Sequence, residues 1–331
     1  MRKTIFTNLI VIFTIIFSVE FFLRFFEIVG LQGYNEKFFS QKDGIVFNQP
    51  NSLLKVAGKL AKTDTDGFRI PINNYTTKKN NKTIHVLGDS VSFGFGIKEK
   101  DSFAGLLRKK ISSNISNHSV IGHNLVSYHY ILDKNKKNTI KNSDEVVIFL
   151  CLNDIYLEQG IIKRNQLDQV SYVEENYFIR ILKNERFIKI NVFLREKSAL
   201  FVFLKSIGTN GVERHFKYTE KKYEDEDLLN IYAKYISKIN QISKKKNIKV
   251  KFVLLPYAFQ VVNRCSKEHM KPQNILREIF QKSDLELYDF TEDFCRNSEG
   301  KNLFLGHDPV HLSNTGHELV TRLIIENKII N

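Results

Sequence analysis

Cysteine is scarce in this 331-residue chain: there are three, too few for the disulfide frameworks that hold small secreted domains together. No Cys/His spacing resembles a zinc site. His307 and His311 stand four apart without a second ligand pair, so no metal and no cofactor is expected. Proline (5) and glycine (16) are sparse, and no internal repeat or low-complexity segment is present. Acidic residues are outnumbered, 36 Asp and Glu against 50 Lys and Arg, for a net charge of +14. The lysines are dispersed, as in Lys136-Lys137 and Lys244-Lys245-Lys246, and are not interleaved with aromatics in a nucleic-acid module. A solvated basic surface follows, one that attracts anionic lipid head groups or acidic glycans. No nucleic-acid partner is expected.

One long apolar run is present. After Arg2 and Lys3, residues Thr4 to Leu23 carry a single charge, Glu20. A helix of that length spans roughly 30 Å, the thickness of a bilayer core. A cleaved signal peptide is the rival reading, but the run continues into Glu20-Phe-Phe-Leu-Arg-Phe-Phe26 with no small-residue cleavage site. An uncleaved single-pass anchor is therefore expected, with its basic amino end cytoplasmic and the remainder periplasmic or exterior.

The densest signal lies at Thr83-Ile-His-Val-Leu-Gly-Asp-Ser-Val-Ser-Phe-Gly-Phe-Gly-Ile97. An apolar, β-branched run reads as a buried parallel strand. It ends in Gly88-Asp89-Ser90, which places a hydroxyl just beyond the strand's carboxyl end, where open α/β sheets bind ligands. Far downstream, Asp308-Pro-Val-His311 precedes Ser313, an N-cap for a helix with Leu319, Val320, Leu323 and Ile324 on its buried face. Pro309 disfavours helix at Asp308, so the segment from 308 to 311 reads as a loop. Serine is a poor nucleophile until a base lies in hydrogen-bond reach, and a histidine oriented by an aspartate supplies one. Ser90, His311 and Asp308 are the expected catalytic triad. Of the other histidines, His85 reads as buried in its strand, His317 as a surface residue of the last helix, and His307 as the rival base.

These blocks, in this order, resemble the SGNH (GDSL-type) hydrolase family. The resemblance covers residues 80–154 and 300–325: Gly88-Asp89-Ser90 with Gly94, Gly96 and Phe103, then Asn153-Asp154 after Glu145-Val-Val-Ile-Phe-Leu150, then Asp308-x-x-His311. It implies an oxyanion hole built from the Ser90 N–H, the Asn153 amide and one further N–H in Val120-Ile-Gly-His-Asn-Leu-Val-Ser-Tyr128. Register suggests Ser127 for that donor, with Gly122 as the alternative. Cys151 stands where the family usually has glycine. The implied activity is hydrolysis of O-acyl esters, acetyl foremost, on extracytoplasmic glycans or lipids. Two other functions are open: an O-acyltransferase passing the same acyl-serine to a surface polysaccharide, and a non-catalytic carbohydrate-binding module.

Alternating strands and helices imply a central parallel sheet of about five strands with helices on both faces, and the resemblance implies that this is a three-layer α/β/α sandwich of SGNH-hydrolase, flavodoxin-like type. Strands are expected near 83–88, 119–125, 145–152, 249–255 and 285–290. The chain divides into an anchor (1–26), a neck or linker (27–79) and a catalytic domain (80–331) with a helical insertion at about 155–224. Within the neck, Asp66-Gly-Phe-Arg69 either pins the neck to the domain through Arg69 or is a simple turn. Cys151 reads as a buried small hydrophobe. Cys265 and Cys295 flank a helical stretch and either pair in an oxidising compartment or remain free thiols.

Overall fold

A computed structural model describes residues 2–26, 28–33, 36–73, 82–134, 140–141, 144–157, 185–298 and 302–330. The first helix, α1 (Arg2–Phe25), is long and apolar enough to cross a membrane. Beyond it, β1 (Phe39–Lys42) and β2 (Ile45–Asn48) form a hairpin. Among the described residues the main sheet has eight strands, in the order β10-β9-β8-β6-β7-β5-β4-β3. Its centre is β6 (Thr83–Gly88) and β8 (Glu145–Leu150), buried almost end to end because both faces are covered. Parallel partners follow outward: β7 (Asn114–Asn117) beside β6, and β9 (Lys249–Leu254) then β10 (Leu287–Asp289) beyond β8.

Taken in chain order, the five parallel strands run 2-1-3-4-5, the flavodoxin-like order. The expected parallel sheet is present, but it is part of a larger mixed one. Strands β3 (Leu53–Val56), β4 (Lys59–Thr63) and β5 (Arg69–Ile70) extend it antiparallel, joined through the Arg69–Asn117 pairing. All three come from the segment read as neck. The second parallel strand also lies earlier than residues 119–125. Its pairing with Thr83–Val86 ends at Asn117, and the apolar Val120-Ile121 leads instead into a turn at Gly122.

Right-handed crossovers fix the layers. The chain moves one way from β6 to β7 through α3 (Phe103–Lys110) and the other way to β8 through α4 (Leu125–Lys134), so the two helices cover opposite faces. The last helix, α12 (Asn314–Glu326), packs on α3, and α8 (Glu226–Lys246) packs on α4. Between β8 and α8 lie α5 (Glu185–Lys197), α6 (Ala199–Thr209) and α7 (Gly211–Lys222), the described part of the helical insertion. The rest of that expectation, including Phe178-Ile-Arg-Ile-Leu182, lies outside the described residues. Two short helices, α9 (Ala258–Val262) and α11 (Thr291–Arg296), flank α10 (Lys271–Lys282), and Cys265 and Cys295 are joined in a disulfide.

Candidate active site

The site lies where the strand order reverses, between the carboxyl ends of β6 and β8. There, crossovers leave in opposite directions and open a crevice. Ser90 follows β6 and Asn153 follows β8. Ser90 opens a single helical turn, α2 (Ser90–Phe93), whose N-cap Asp89 accepts the Val91 N–H at 2.8 Å. The turn closes at Gly94, which has φ +82 and no room for a Cβ, because the Arg69 guanidinium would lie 2.7 Å away. Arg69 is fully buried. It donates to the carbonyls of Phe93, Gly94 (2.7 Å) and Ile97 (2.6 Å), and lies over the Phe93 ring. Burial lowers its pKa to about 9, so it is charged at neutral pH. Arg69 thus pins β5, from the segment read as neck, to the backbone of the Ser90 turn.

Asp308 and His311 arrive on a loop, as the proline requires. Asp308 Oδ1 accepts the N–H groups of Val310 (2.9 Å) and His311 (2.7 Å), and Oδ2 takes the imidazole Nδ1–H at 2.9 Å. That fixes the tautomer, leaving Nε2 to accept the Ser90 hydroxyl at 2.9 Å. Burial disfavours charge on Asp308, but the imidazole and the hydrogen bonds outweigh it and hold the carboxyl below its usual range. Burial likewise pulls His311 down, and Asp308 more than offsets it, leaving the imidazole above the ordinary histidine value. The loop is tied to α9 by the Ala258 N–H on the Pro309 carbonyl (2.9 Å), and to α12 through the Ser313 N-cap.

The other expected residues fall as follows. Asn153 donates from Nδ2 to Asp89 (3.1 Å) and accepts the Tyr257 hydroxyl at Oδ1 (3.2 Å), so its amide is held beside the Ser90 turn with a second N–H to spare. The Val120 N–H bonds the Gly88 carbonyl at 3.2 Å, so the turn carrying Gly122 leaves the sheet beside that of Ser90. Ser127 is buried in the first turn of α4. His85 is buried between His118 (2.9 Å) and Asp144 (3.0 Å), as its strand position suggested. His307 is exposed, with its ring against Phe203.

His317 is a correction. It is 1% exposed rather than on the surface, because α3 packs over that face of α12 and the Phe103 N–H bonds its Nδ1 at 3.2 Å. Burial drops its pKa to about 3.

His215 was missed. On α7 it stacks on Tyr257, with centroids 5.4 Å apart, and feels the charges of Asp308 and His311. Burial lowers it to about 4, so it stays neutral. Nothing in the local sequence of α7 connects it to a loop some ninety residues later. Tyr257 had one signal, its position directly beyond β9. A cleft of about 1390 Å³ runs from the end of α1, past Ile28 and Leu31, to His307 and Asp308. No group of three or more His, Cys, Asp or Glu side chains among the described residues is arranged to hold a metal.

No protein-family model matches the chain, and no curated protein matches it in sequence. Solved structures that resemble it include the acetyl xylan esterase AlAXEase, 15% identical, with 75% of this chain and 100% of that one covered and a TM-score of 0.43. A lipolytic G-D-S-L family protein from Veillonella parvula is 13% identical, over 74% and 97%, with a TM-score of 0.41. A lipase/acylhydrolase from Enterococcus faecalis is 13% identical, over 74% and 94%, with a TM-score of 0.42. Likeness this distant assigns no chemistry.

Proposed function

We propose that this chain is a membrane-anchored serine ester hydrolase acting on O-acyl esters of extracytoplasmic glycans or lipids. The observation that carries the reading is the unbroken relay from Asp308 through His311 to the Ser90 hydroxyl, two contacts of 2.9 Å each. In that geometry His311 Nε2 takes the hydroxyl proton as Ser90 Oγ attacks the ester carbonyl. The resulting oxyanion is met by the N–H groups of Ser90 and Gly122 and by the free N–H of Asn153, one such donor being worth about 3 kcal/mol. Gly122 is preferred to Ser127 because its turn leaves the sheet beside Gly88. His311 then protonates the departing alkoxide, leaving an acyl-serine. Water, deprotonated by the same imidazole, releases the acid and restores Ser90.

Two features support an extracytoplasmic setting: the apolar α1 with Arg2 and Lys3 at its amino end, which favours that end being cytoplasmic, and the Cys265–Cys295 disulfide, which persists in oxidising compartments. The test is labelling of the full-length protein in vesicles with a fluorophosphonate probe, beside Ser90→Ala and His311→Ala. Labelling of the parent lost in both variants is expected. A folded parent that does not label would overturn the reading.

A further inference from the structure

Two helices of the insertion leave large apolar side chains in the open. On α5 these are Phe187 (47% exposed), Ile190 (54%) and Phe193 (60%); on α6, Leu204 (57%) and Ile207 (61%). Spacings of three put each set on one helix face. Large apolar side chains left open on two helices that touch are the mark of a docking site on a soluble surface.

The attachment of α6 indicates what covers it. The Glu20 carboxylate of α1 accepts the Ser198 hydroxyl (2.9 Å) and the N–H groups of Ala199 (2.9 Å) and Leu200 (2.8 Å), the amino end of α6. Arg24 reaches the Lys197 carbonyl, and Leu23 and Val29 are buried against Ala199 and Val202. Glu20 lies five residues before the end of α1, about 7.5 Å along the axis at 1.5 Å per residue. The amino end of α6 therefore sits beside the last turns of the anchor. That is the depth of about 5–10 Å at which interfacial amphipathic helices lie. Five basic residues on α5 and α6 (Arg186, Lys189, Arg195, Lys197, Lys205) against two acidic ones (Glu185, Glu196) suit anionic head groups.

The same elements reach the site. Phe203 of α6 meets the His307 ring edge-on, with centroids 5.4 Å apart, one residue before Asp308. Gly306 packs so closely on the chain leaving α1 that a Cβ there would lie 1.7 Å from the Ile28 carbonyl oxygen. The cleft that Asp308 lines is lined as well by Arg24, Phe26 and Ile28, where α1 would leave the bilayer.

We propose that α5 and α6 rest in the interface of the bilayer that α1 enters, their apolar faces among the acyl chains, and that the cleft receives the ester of a membrane-bound amphiphile from that side. This rests on the hydrolase and anchor reading above and names its substrate class.

The chain has no tryptophan, so a single introduced one reports its own surroundings. Full-length Leu204→Trp and Ile207→Trp in phosphatidylcholine–phosphatidylglycerol vesicles should show blue-shifted emission, strongly quenched by brominated acyl chains. Ile231→Trp on α8 should not be quenched. Absence of quenching at both 204 and 207 overturns the docking.

The double variant Leu204→Lys with Ile207→Lys should hydrolyse soluble umbelliferyl acetate within about twofold of the parent. It should lose at least tenfold toward the same ester tethered to phosphatidylethanolamine in the vesicle. Equal effects on the two esters, including none, overturn the substrate assignment. A parent that cleaves neither ester and does not label sinks the hydrolase reading and, with it, the substrate class, while the quenching result still judges the docking on its own.

Discussion

Phe95 stacks on the imidazole of His311, with ring centroids 4.2 Å apart and planes inclined by 25°. Phe95 belongs to a satellite core with Phe38, Val56, Ala57, Ala61 and Phe93, contributed mostly by the segment preceding the parallel sheet. That core closes one face of the imidazole, the proposed general base, while Asp308 fixes its edge. Phe95→Ala should therefore lower kcat by about tenfold, near the upper end of what an aromatic pair contributes. KM should change little. Steady-state kinetics on a soluble ester, with melting curves to verify folding, make the comparison. An unchanged kcat would mean that Asp308 alone orients the ring.

The pH profile follows from the raised His311 pKa. Attack needs the neutral imidazole, so kcat/KM should rise with pH through a midpoint above the ordinary histidine value of about 6.5. In Asp308→Asn that midpoint should move toward acid, because the charge that favours the imidazolium is gone, and the plateau should fall by orders of magnitude. Stability carries the opposite sign. The imidazolium held by Asp308 stabilises the fold below the ordinary value, and that contribution is lost as pH rises through the raised one. An acid limb that stays in place in Asp308→Asn would dissociate the shift from this pair.

Asn153 and Tyr257 should rank in a definite order. Asn153→Ala removes the proposed oxyanion donor, and a loss of about a hundredfold or more in kcat is expected. Tyr257→Phe keeps the ring beneath His215 but removes the hydroxyl that holds Asn153 Oδ1. One neutral hydrogen bond is worth about 1 kcal/mol, so a loss of about fivefold follows. A larger effect from Tyr257→Phe than from Asn153→Ala would exclude Asn153 as the donor.

Arg69→Met should cost about 3 kcal/mol of stability, since three carbonyls that Arg69 satisfies lose a charged donor in a buried place. Arg69→Lys should recover only part of it, because one ammonium cannot match the spread of a guanidinium fork. Denaturant midpoints measure both. Equal stability of Arg69→Met and the parent would mean that solvent reaches those carbonyls.

The parts of the site nearest the centre of the sheet were readable because burial on both faces leaves an uninterrupted apolar strand, as in β6 and β8, and the residue after such a strand lies at the crevice. The outer strands β3 and β4 gave no such signal. They alternate exposed and buried positions, with lysines at 55, 59 and 62, and what makes them strands is pairing that reaches Asn117 through Arg69. His317 was misjudged for a related reason: the groups that bury it, Phe103 and its N–H, sit on α3 over two hundred residues away. His215 depends wholly on how α7 folds back over Tyr257, which no local pattern encodes.

The contact between Ile28 and Gly306 joins segments far apart in the sequence. Synthesis delivers residue 28 long before residue 306, so Asp308 and His311 reach Ser90 only when their loop returns to the segment that follows α1. The contact between Ser90 and His311 then cannot close until the 221st residue after the serine has been made. A chain cut after Gly33 would carry Ser90, Asp308 and His311 yet lack the surface on which the loop is seated.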